Sequence, residues 1–541
     1  MSAVVSAVLL LGCSPSFPQE LPWGPPVRSR EERVQGRFQA LSHSPSLLRA
    51  LLRKMPKGGD LHSHLSGAVR TERLIAWGAE DGVCVTTATF TATPPPCDAG
   101  QVPLADALSD PVLYDDVLRA WSMAGFQGTV LEAHDHFFAT FGKFGAVLSD
   151  ARTGDAIADV VSTTGRNRQQ YVELMQGLNS STVGSVASRY IAPGDPWDEA
   201  FLLGARLQII ADPVFSETLE TTKASLASAL SKTRNLLGCD TPDPDPGCDV
   251  EVRFLLSANR TRDRGFVFAQ WVYAYELAQV ASQVVGVNLV SPEEDPNSLL
   301  FYDDEMFALD VLRRFNQQDP ARRPVRISLH AGELIPEVLP DTPEGQRHLT
   351  FHIRHAVEIA HAERIGHGVD ILTEAEGEGL RDLLRSMRDA DVLVEICLTS
   401  NAVLLGVEGS THPLSTYLHH GVPVALSTDD HGVLRIDLTD EFLRAVTIQK
   451  LDYRTLKNMV RASLEHSFLA GKSLWEVRSR YDRVADVCAH DEPGDPRPSP
   501  ACAQLLAVNE RAAMQWKLEA QFHAFEHSIL PWRGSDRAFD E

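Results

Sequence analysis

The segment Asp60-Leu61-His62-Ser63-His64 places two histidines at alternate positions near the start of a 541-residue chain. Side chains alternate in direction along a β-strand, so His62 and His64 would point the same way and could bind one ion. Three later segments also carry a metal-binding or acid-base residue after an apolar run: Ser328-Leu329-His330-Ala331-Gly332-Glu333, Arg364-Ile365-Gly366-His367-Gly368 and Leu426-Ser427-Thr428-Asp429-Asp430. Together the four segments predict a hydrolytic zinc site on a barrel.

The four segments belong to a longer pattern. The chain contains eight short apolar runs separated by helical patterns, in which apolar residues recur at spacings of three and four. Alternating buried strands and helices indicate an α/β fold with a parallel sheet, and eight such units predict a closed (β/α)8, or TIM, barrel. Catalytic residues of that fold sit at the C-terminal ends of strands. The predicted strands lie near Gly59–His64, Tyr171–Met175, Val252–Ser257, Val284–Leu289, Val325–His330, Arg364–Gly368, Val392–Cys397 and Val422–Asp429.

The barrel accounts for only part of the chain, because about 250 residues are typical of this fold. We expect a signal and tether at 1–20, an N-terminal extension at 21–54, the barrel at 55–470 and a C-terminal helical extension at 471–541. A large helical insertion at about 72–165 follows the first strand. At that place it would cover the active-site mouth, as a lid or substrate-binding element. An inert decoration or a dimer contact is the equal alternative, and a homodimer is left open.

Composition narrows the class of partner. The formal net charge of −23 argues against nucleic acid as the main partner, since binding a polyanion requires clustered lysine and arginine. We interpret the charge as a contribution to solubility.

The N-terminal residues resemble an export signal. Leu10-Leu11-Gly12-Cys13 is similar to a bacterial lipobox, whose cysteine would carry the lipid. A secretory signal normally begins with basic residues and none precedes Cys13, which leaves the true start codon open. We therefore expect an exported protein, periplasmic or on the cell surface, that contacts the membrane only through a lipid anchor at Cys13.

Cysteine usage agrees with export. Six of the eight cysteines form pairs that are close in sequence, and bridged loops fit an oxidising compartment. Six cysteines permit fifteen pairings, so the connectivity is an expectation from proximity. The expected pairs are Cys84 with Cys97, Cys239 with Cys248, and Cys488 with Cys502, and Cys397 is expected to be a buried small hydrophobe.

The ligand set follows from residue type. Neutral imidazoles suit Zn²⁺, and a catalytic zinc site usually keeps a position for water. Three nitrogens and one oxygen for one zinc ion per chain would come from His62, His64, His330 and Asp429.

The quoted segments, preceded by Met55-Pro56-Lys57 and joined by Val394-Glu395-Ile396-Cys397-Leu398-Thr399-Ser400-Asn401, resemble the successive motifs of the adenosine deaminase family. The resemblance covers about residues 55–470. The long segment before the second strand is similar to the secreted, growth-factor-like branch of that family.

The resemblance implies zinc-dependent conversion of a purine nucleoside, adenosine or 2′-deoxyadenosine, to inosine or 2′-deoxyinosine and ammonia. It implies that Glu333 is the proton shuttle and that His367 lies beside the attacking hydroxide. Asp429 would bind zinc and accept the proton of the hydroxide, and Asp430 would bind N7 of the base.

Three departures from the family pattern concern the substrate-binding residues. Ser66 stands where many relatives have an acidic residue that holds the ribose, and Ser291-Pro292-Glu293-Glu294 replaces a glycine-acid stretch that recognises the purine. His431 replaces the usual proline. These departures concern the substrate, expected to be adenosine or 2′-deoxyadenosine, and leave the residues predicted to carry out deamination intact.

Two other classes of protein stay open. A related amidohydrolase acting on another aminopurine or a cyclic amide could share the barrel, although binuclear members usually carry a bridging lysine on the fourth strand and Val284–Leu289 has none. A non-catalytic cell-surface protein that binds nucleosides is the second alternative. The complete set of ligands and shuttle residue argues against it.

Overall fold

A computed structural model describes residues 30–374 and 377–529. Eight parallel strands follow one another around a barrel, each paired with the next along the chain. They are β1 Gly58–His64, β2 Gln169–Gln176, β3 Glu251–Asn259, β4 Val284–Val290, β5 Arg326–Ala331, β6 Arg364–His367, β7 Leu393–Ile396 and β8 Val424–Leu426. The predicted (β/α)8 barrel is confirmed.

The barrel closes between β1 and the residues after β8. The Asp429 amide donates to the carbonyl of His62 over 2.9 Å, and the His64 amide donates to the carbonyl of Asp429 over 3.2 Å. The Asp60 carboxylate accepts a 2.7 Å hydrogen bond from the Thr428 hydroxyl at the same seam. Closure of the barrel therefore places Asp429, which follows the last strand, beside His62 and His64 of the first strand.

Helices cover the outside of the strands, and aspartate side chains cap several of their N-termini, as Asp263, Asp295 and Asp452 do. The main helices around the barrel are Thr153–Arg166, Glu199–Ala211, Pro213–Leu236, Arg264–Val280, Pro296–Gln318, His352–Glu358, Glu378–Asp389, Leu398–Leu405, Leu414–His420, Leu438–Thr447 and Tyr453–Glu465.

The segment between β1 and β2 is more than the predicted helical insertion. It contains the helices Leu65–Ala68, Thr71–Glu80, Pro111–Ala120 and Val130–Phe144, and also an antiparallel sheet of Cys84–Thr86, Ala92–Thr93 and Gln101–Pro103. These strands have only two or three residues, too few to show an alternating pattern in the sequence.

Two extensions pack beside the barrel. The N-terminal one forms the helices Arg30–Leu41 and Pro45–Leu52, and the C-terminal one forms the helices Pro500–Val508 and Glu510–Ile529. The C-terminal extension also contains a hairpin of Trp475–Val477 and Arg480–Val484, so it is not purely helical. The Lys457 ammonium and the Tyr453 hydroxyl donate to Glu526 over 2.7 and 2.8 Å, which attaches the last helix to the barrel.

The three expected disulfides, Cys84–Cys97, Cys239–Cys248 and Cys488–Cys502, are all formed, and Cys397 is a buried free thiol as predicted. The predicted signal, tether and anchor at Cys13 lie outside the described residues. No helix within the described ranges combines the length and the apolar composition needed to cross a membrane.

Candidate active site

The predicted ligands meet at the C-terminal end of the barrel. His62 and His64 come from β1, His330 from β5, and Asp429 from the segment after β8. One side-chain nitrogen or oxygen of each residue lies within 4.8 Å of the corresponding atom of every other. Asp429 has a φ of +59°, a backbone conformation that non-glycine residues adopt rarely and that tends to occur at functional sites.

The orientation of these rings fits a bound cation. His62 donates through Nδ1 to Glu395 over 2.7 Å, and His330 donates through Nδ1 to Asn288 over 2.6 Å. Each ring therefore presents the lone pair of Nε2 to the cluster. The Nε2 atom of His62 is buried without a hydrogen-bond partner among the described residues, and the Nε2 atoms of His64 and His330 are 3.1 Å apart. Three imidazoles and one carboxylate are a donor set that suits zinc.

A buried ion network lies directly beneath the cluster. The Glu395 carboxylate also accepts from Arg364 Nε over 2.6 Å and from the Ser328 hydroxyl over 2.8 Å. Arg364 pairs with Glu173 as well, and all three charged side chains are fully buried. The network fixes the ring of His62. No role was predicted for these three residues from the sequence, although a charge inside an apolar run was a usable signal.

Glu333 faces the cluster from the loop after β5. Its Oε1 atom is 3.5 Å from Nε2 of His367, and only 11% of the side chain is exposed. Burial and the adjacent Asp429 raise the pKa of the Glu333 carboxyl well above its usual range. Glu333 therefore takes up a proton more readily than an ordinary glutamate, and it can donate that proton to a bound molecule.

The loop that carries Glu333 is held by Glu293. This buried carboxylate accepts hydrogen bonds from the amides of Gly332 and Glu333 over 3.1 and 2.9 Å, and from His352 Nδ1 over 2.6 Å. Burial opposes ionisation of Glu293, but the His352 hydrogen bond and the nearby Arg260 lower its pKa to about 2. The stretch Ser291–Glu294, expected only to alter purine recognition, thus also anchors the acid.

A chain of hydrogen bonds sets the tautomer of His367. The Leu414 backbone amide donates to His412 Nδ1 over 3.1 Å, and His412 Nε2 donates to the side-chain oxygen Oδ1 of Asn401 over 3.1 Å. The Asn401 amide then donates to His367 Nδ1 over 3.0 Å, which leaves the proton of His367 on Nε2, facing Glu333. Burial lowers the pKa of His367 to about 3, so the ring is a neutral donor. No role in the site was predicted for Asn401 or His412 from the sequence.

Asp430 lies on the other side of Asp429. Its Oδ1 atom is buried without a partner among the described residues, and burial together with Asp429 raises the pKa of its carboxyl well above the usual range. The carboxylate lies against Gly67, where any Cβ atom would overlap it. His431, the third residue of this segment, is buried and does not line the cavity described next.

A cavity of about 400 Å³ opens over these groups. Ser66 and Ser291, the predicted substrate-binding residues, both line it. The helix Val130–Phe144 of the insertion contributes three aromatic side chains to its wall, those of Phe137, Phe138 and Phe141. This placement favours the lid or substrate-binding interpretation of the insertion over an inert decoration.

Comparison with known proteins agrees with this site. Residues 238–484 match the family model of adenosine deaminase, a span that contains His330, Glu333, His367 and Asp429. Adenosine deaminases of Yersinia pseudotuberculosis and Escherichia coli are each 29% identical to the chain, over 200 and 206 residues. The alignments cover 35% and 36% of this chain and 54% and 55% of those enzymes, so the chain spans about half the length of the curated relatives it matches. These matches support the adenosine deaminase family and a deaminase-type enzyme.

A solved amidohydrolase from Burkholderia ambifaria, which contains bound zinc, shares the fold. The superposition has a TM-score of 0.50 at 13% sequence identity, and it covers 89% of this chain and 95% of that one. Because the superposition covers 89% of this chain, the likeness in fold extends beyond the part that the family model matches.

Proposed function

We propose that this protein is an exported, zinc-dependent hydrolase that deaminates a purine nucleoside, with adenosine or 2′-deoxyadenosine as the substrate. The observation that carries the proposal is the position of Glu333. A buried carboxyl group with a raised pKa stands beside a cluster of three imidazoles and one carboxylate.

The cluster of His62, His64, His330 and Asp429 would hold the zinc ion. When bound, zinc supplies hydroxide at neutral pH, because it lowers the pKa of water from 15.7 to about 7. The second alternative from the sequence, a binding protein without turnover, would not need this acid-base apparatus around a metal site.

Glu333 would act as the general acid. Carbon 6 of a purine is a poor electrophile until the neighbouring ring nitrogen gains a proton, and a protonated carboxyl group in contact with the ring can deliver it. The raised pKa of Glu333 supports this role, because an ordinary glutamate would be ionised at pH 7. That proton would stay on the ring nitrogen of the product. The proton that the attacking hydroxyl group gives up to Asp429 would pass to the departing amino group, which leaves as ammonia.

The remaining polar groups would orient the reactants. The Nε2 proton of His367 would hydrogen-bond the attacking hydroxide, and Asp429 would accept the proton of that group. A protonated Asp430 would donate to N7 of the base, which is an acceptor. Each carboxyl group thus has a separate task that its surroundings support.

Export rests on different observations. Three disulfides in the described residues support an oxidising compartment, and the lipobox-like segment ending at Cys13 would provide the anchor. A small-molecule purine, not nucleic acid, fits both the acidic chain and a cavity of about 400 Å³.

The proposal is tested by the ultraviolet absorbance of zinc-loaded protein mixed separately with adenosine, 2′-deoxyadenosine, adenine and AMP. We expect adenosine or 2′-deoxyadenosine to be converted. The Glu333→Gln variant should lose roughly 10²- to 10⁴-fold in rate while keeping its zinc, because Glu333 is not among the ligands. Glu337→Gln, at an exposed position in the same loop, is the matched control and should keep the activity. Failure of the zinc-loaded protein to deaminate any of the four compounds would refute the proposal.

A further inference from the structure

A second cavity lies next to the active site. It has a volume of about 240 Å³ and shares Ser66 and Phe141 with the wall of the first cavity. The two cavities therefore meet at these two side chains. Ser66 is small and uncharged, and Phe141 is only partly buried, so neither places a charge between the two spaces.

The described residues that line the second cavity are uncharged, and they are both polar and apolar. Its walls include buried apolar side chains, among them Leu65, Phe144 and Ala156, which are 2%, 1% and 2% exposed. Its polar residues include Ser149, Thr153 and Gln176, whose side chains make no hydrogen bond to another described residue. None of the residues that line it is charged.

The charges of the lining residues also limit which substituents the two cavities can bind. The lining of the two cavities includes no lysine or arginine within the described residues, the side chains that proteins use to bind phosphate. The first cavity instead contains three carboxyl groups, those of Glu333, Asp429 and Asp430. A phosphorylated substituent would be without a counter-charge there.

The position of the reacting carbon determines which end of the substrate reaches the second cavity. The amino group lies on the six-membered ring of a purine and must face the metal cluster and Glu333. The sugar is attached to the five-membered ring, at the far side of the base, and points away from the cluster. If the sugar lies on the side of the first cavity that Ser66 and Phe141 line, a group carried by it enters the second cavity.

We propose that the second cavity is a subsite for an uncharged substituent on the sugar of the substrate. This inference rests on the proposed function and narrows its substrate class. The substrate is a 6-aminopurine nucleoside that is extended beyond the sugar by a group without phosphate. The exposed residue Ser149 marks the outer end of the subsite.

The test compares kcat/KM for adenosine, 5′-butylthio-5′-deoxyadenosine and AMP on zinc-loaded protein. We expect the butylthio compound to be used at least as well as adenosine, and AMP to be used worse by about 100-fold or more. Ser149→Trp, which fills the outer end of the subsite, should lower the ratio of kcat/KM for the butylthio compound to that for adenosine by about 10-fold.

Ser216→Trp, at an exposed position on the helix Pro213–Leu236, is the control for the added indole and should leave the ratio as it is in the wild type. Zinc content and circular dichroism show whether each variant is folded. Deamination of adenosine with poor use of the butylthio compound, or a ratio that Ser149→Trp does not alter, would overturn the subsite and leave the proposed function intact. If none of the purines is deaminated, the proposed function fails and the subsite fails with it.

Discussion

The Nδ1 atom of His62 donates to the Oε2 atom of Glu395 over 2.7 Å, and both side chains are fully buried. A carboxylate in this place fixes the tautomer and the direction of the ring, and it makes Nε2 a stronger metal ligand. Glu395 is itself held by Arg364 and Ser328, so the orientation of His62 depends on groups from three other strands.

Glu395→Gln should weaken zinc binding by roughly 10- to 100-fold. The amide that replaces one carboxylate oxygen would face donors on His62, Arg364 or Ser328, and the buried guanidinium would lose one of its two counter-charges. The zinc dissociation constant, measured by competition with a chelator, checks this. Glu217→Gln, at an exposed position without an ion pair, should bind zinc like the wild type. Unchanged affinity in Glu395→Gln would contradict the orienting role.

Gly366→Ala should displace His62. A Cβ atom at Gly366 would lie 2.7 Å from Cε1 and 2.9 Å from Nδ1 of His62, closer than real Cβ contacts allow. Since the ring is enclosed by Glu395 and the other ligands, we expect substoichiometric zinc in the purified protein, measured by elemental analysis.

Gly204→Ala is the matched control for that change. Gly204 lies in the helix Glu199–Ala211, and nothing stands within 4 Å of its added Cβ. This variant should keep full zinc and gain about 0.5–1 kcal/mol of stability, because alanine is the better helix former. Equal zinc content in both variants would mean that the ring of His62 moves aside without cost.

The cluster could be predicted from two features of the sequence: the alternate positions of His62 and His64, and the position of Asp429 after an apolar run. Strand geometry alone determines in which direction side chains at such positions point. The role of Glu395 was not predictable in this way. It depends on the register that places Arg364 beside Ser328 and Leu393 across neighbouring strands. Sequence shows where strands lie, but not which of their residues meet inside the barrel.

Ser291→Gly should stabilise the fold. Ser291 has a φ of +82°, in the region that favours glycine, so the serine Cβ imposes strain in the loop after β4. Removing it should raise the free energy of unfolding by about 1 kcal/mol, measured by urea denaturation. Ser291→Ala, which keeps the Cβ and removes only the hydroxyl, should give no such gain. A gain of equal size in both variants would mean that the hydroxyl group is the cause.

His412 should make the stability of the protein depend on pH. Burial, assisted by Arg444, lowers the pKa of His412 to about 4, whereas the unfolded chain has the ordinary value of about 6.5. Protonation of the folded form would also require Nδ1 to give up the hydrogen bond from the Leu414 amide. Between these two values the unfolded state binds more protons, so His412 contributes stability above pH 6.5 that is lost as the pH falls towards 4.

The size of this effect is about 3 kcal/mol between pH 6.5 and 4. It is measured as the difference in free energy of unfolding between the wild type and His412→Gln, obtained from urea titrations at pH 7, 5.5 and 4.5. We expect the advantage of the wild type to shrink as the solution becomes more acidic, because glutamine cannot take up the proton. His419→Gln, at an exposed position on the neighbouring helix, should follow the wild type throughout. A constant difference between wild type and His412→Gln would contradict the prediction, because it would mean that the pKa of His412 is the same in the folded and the unfolded chain.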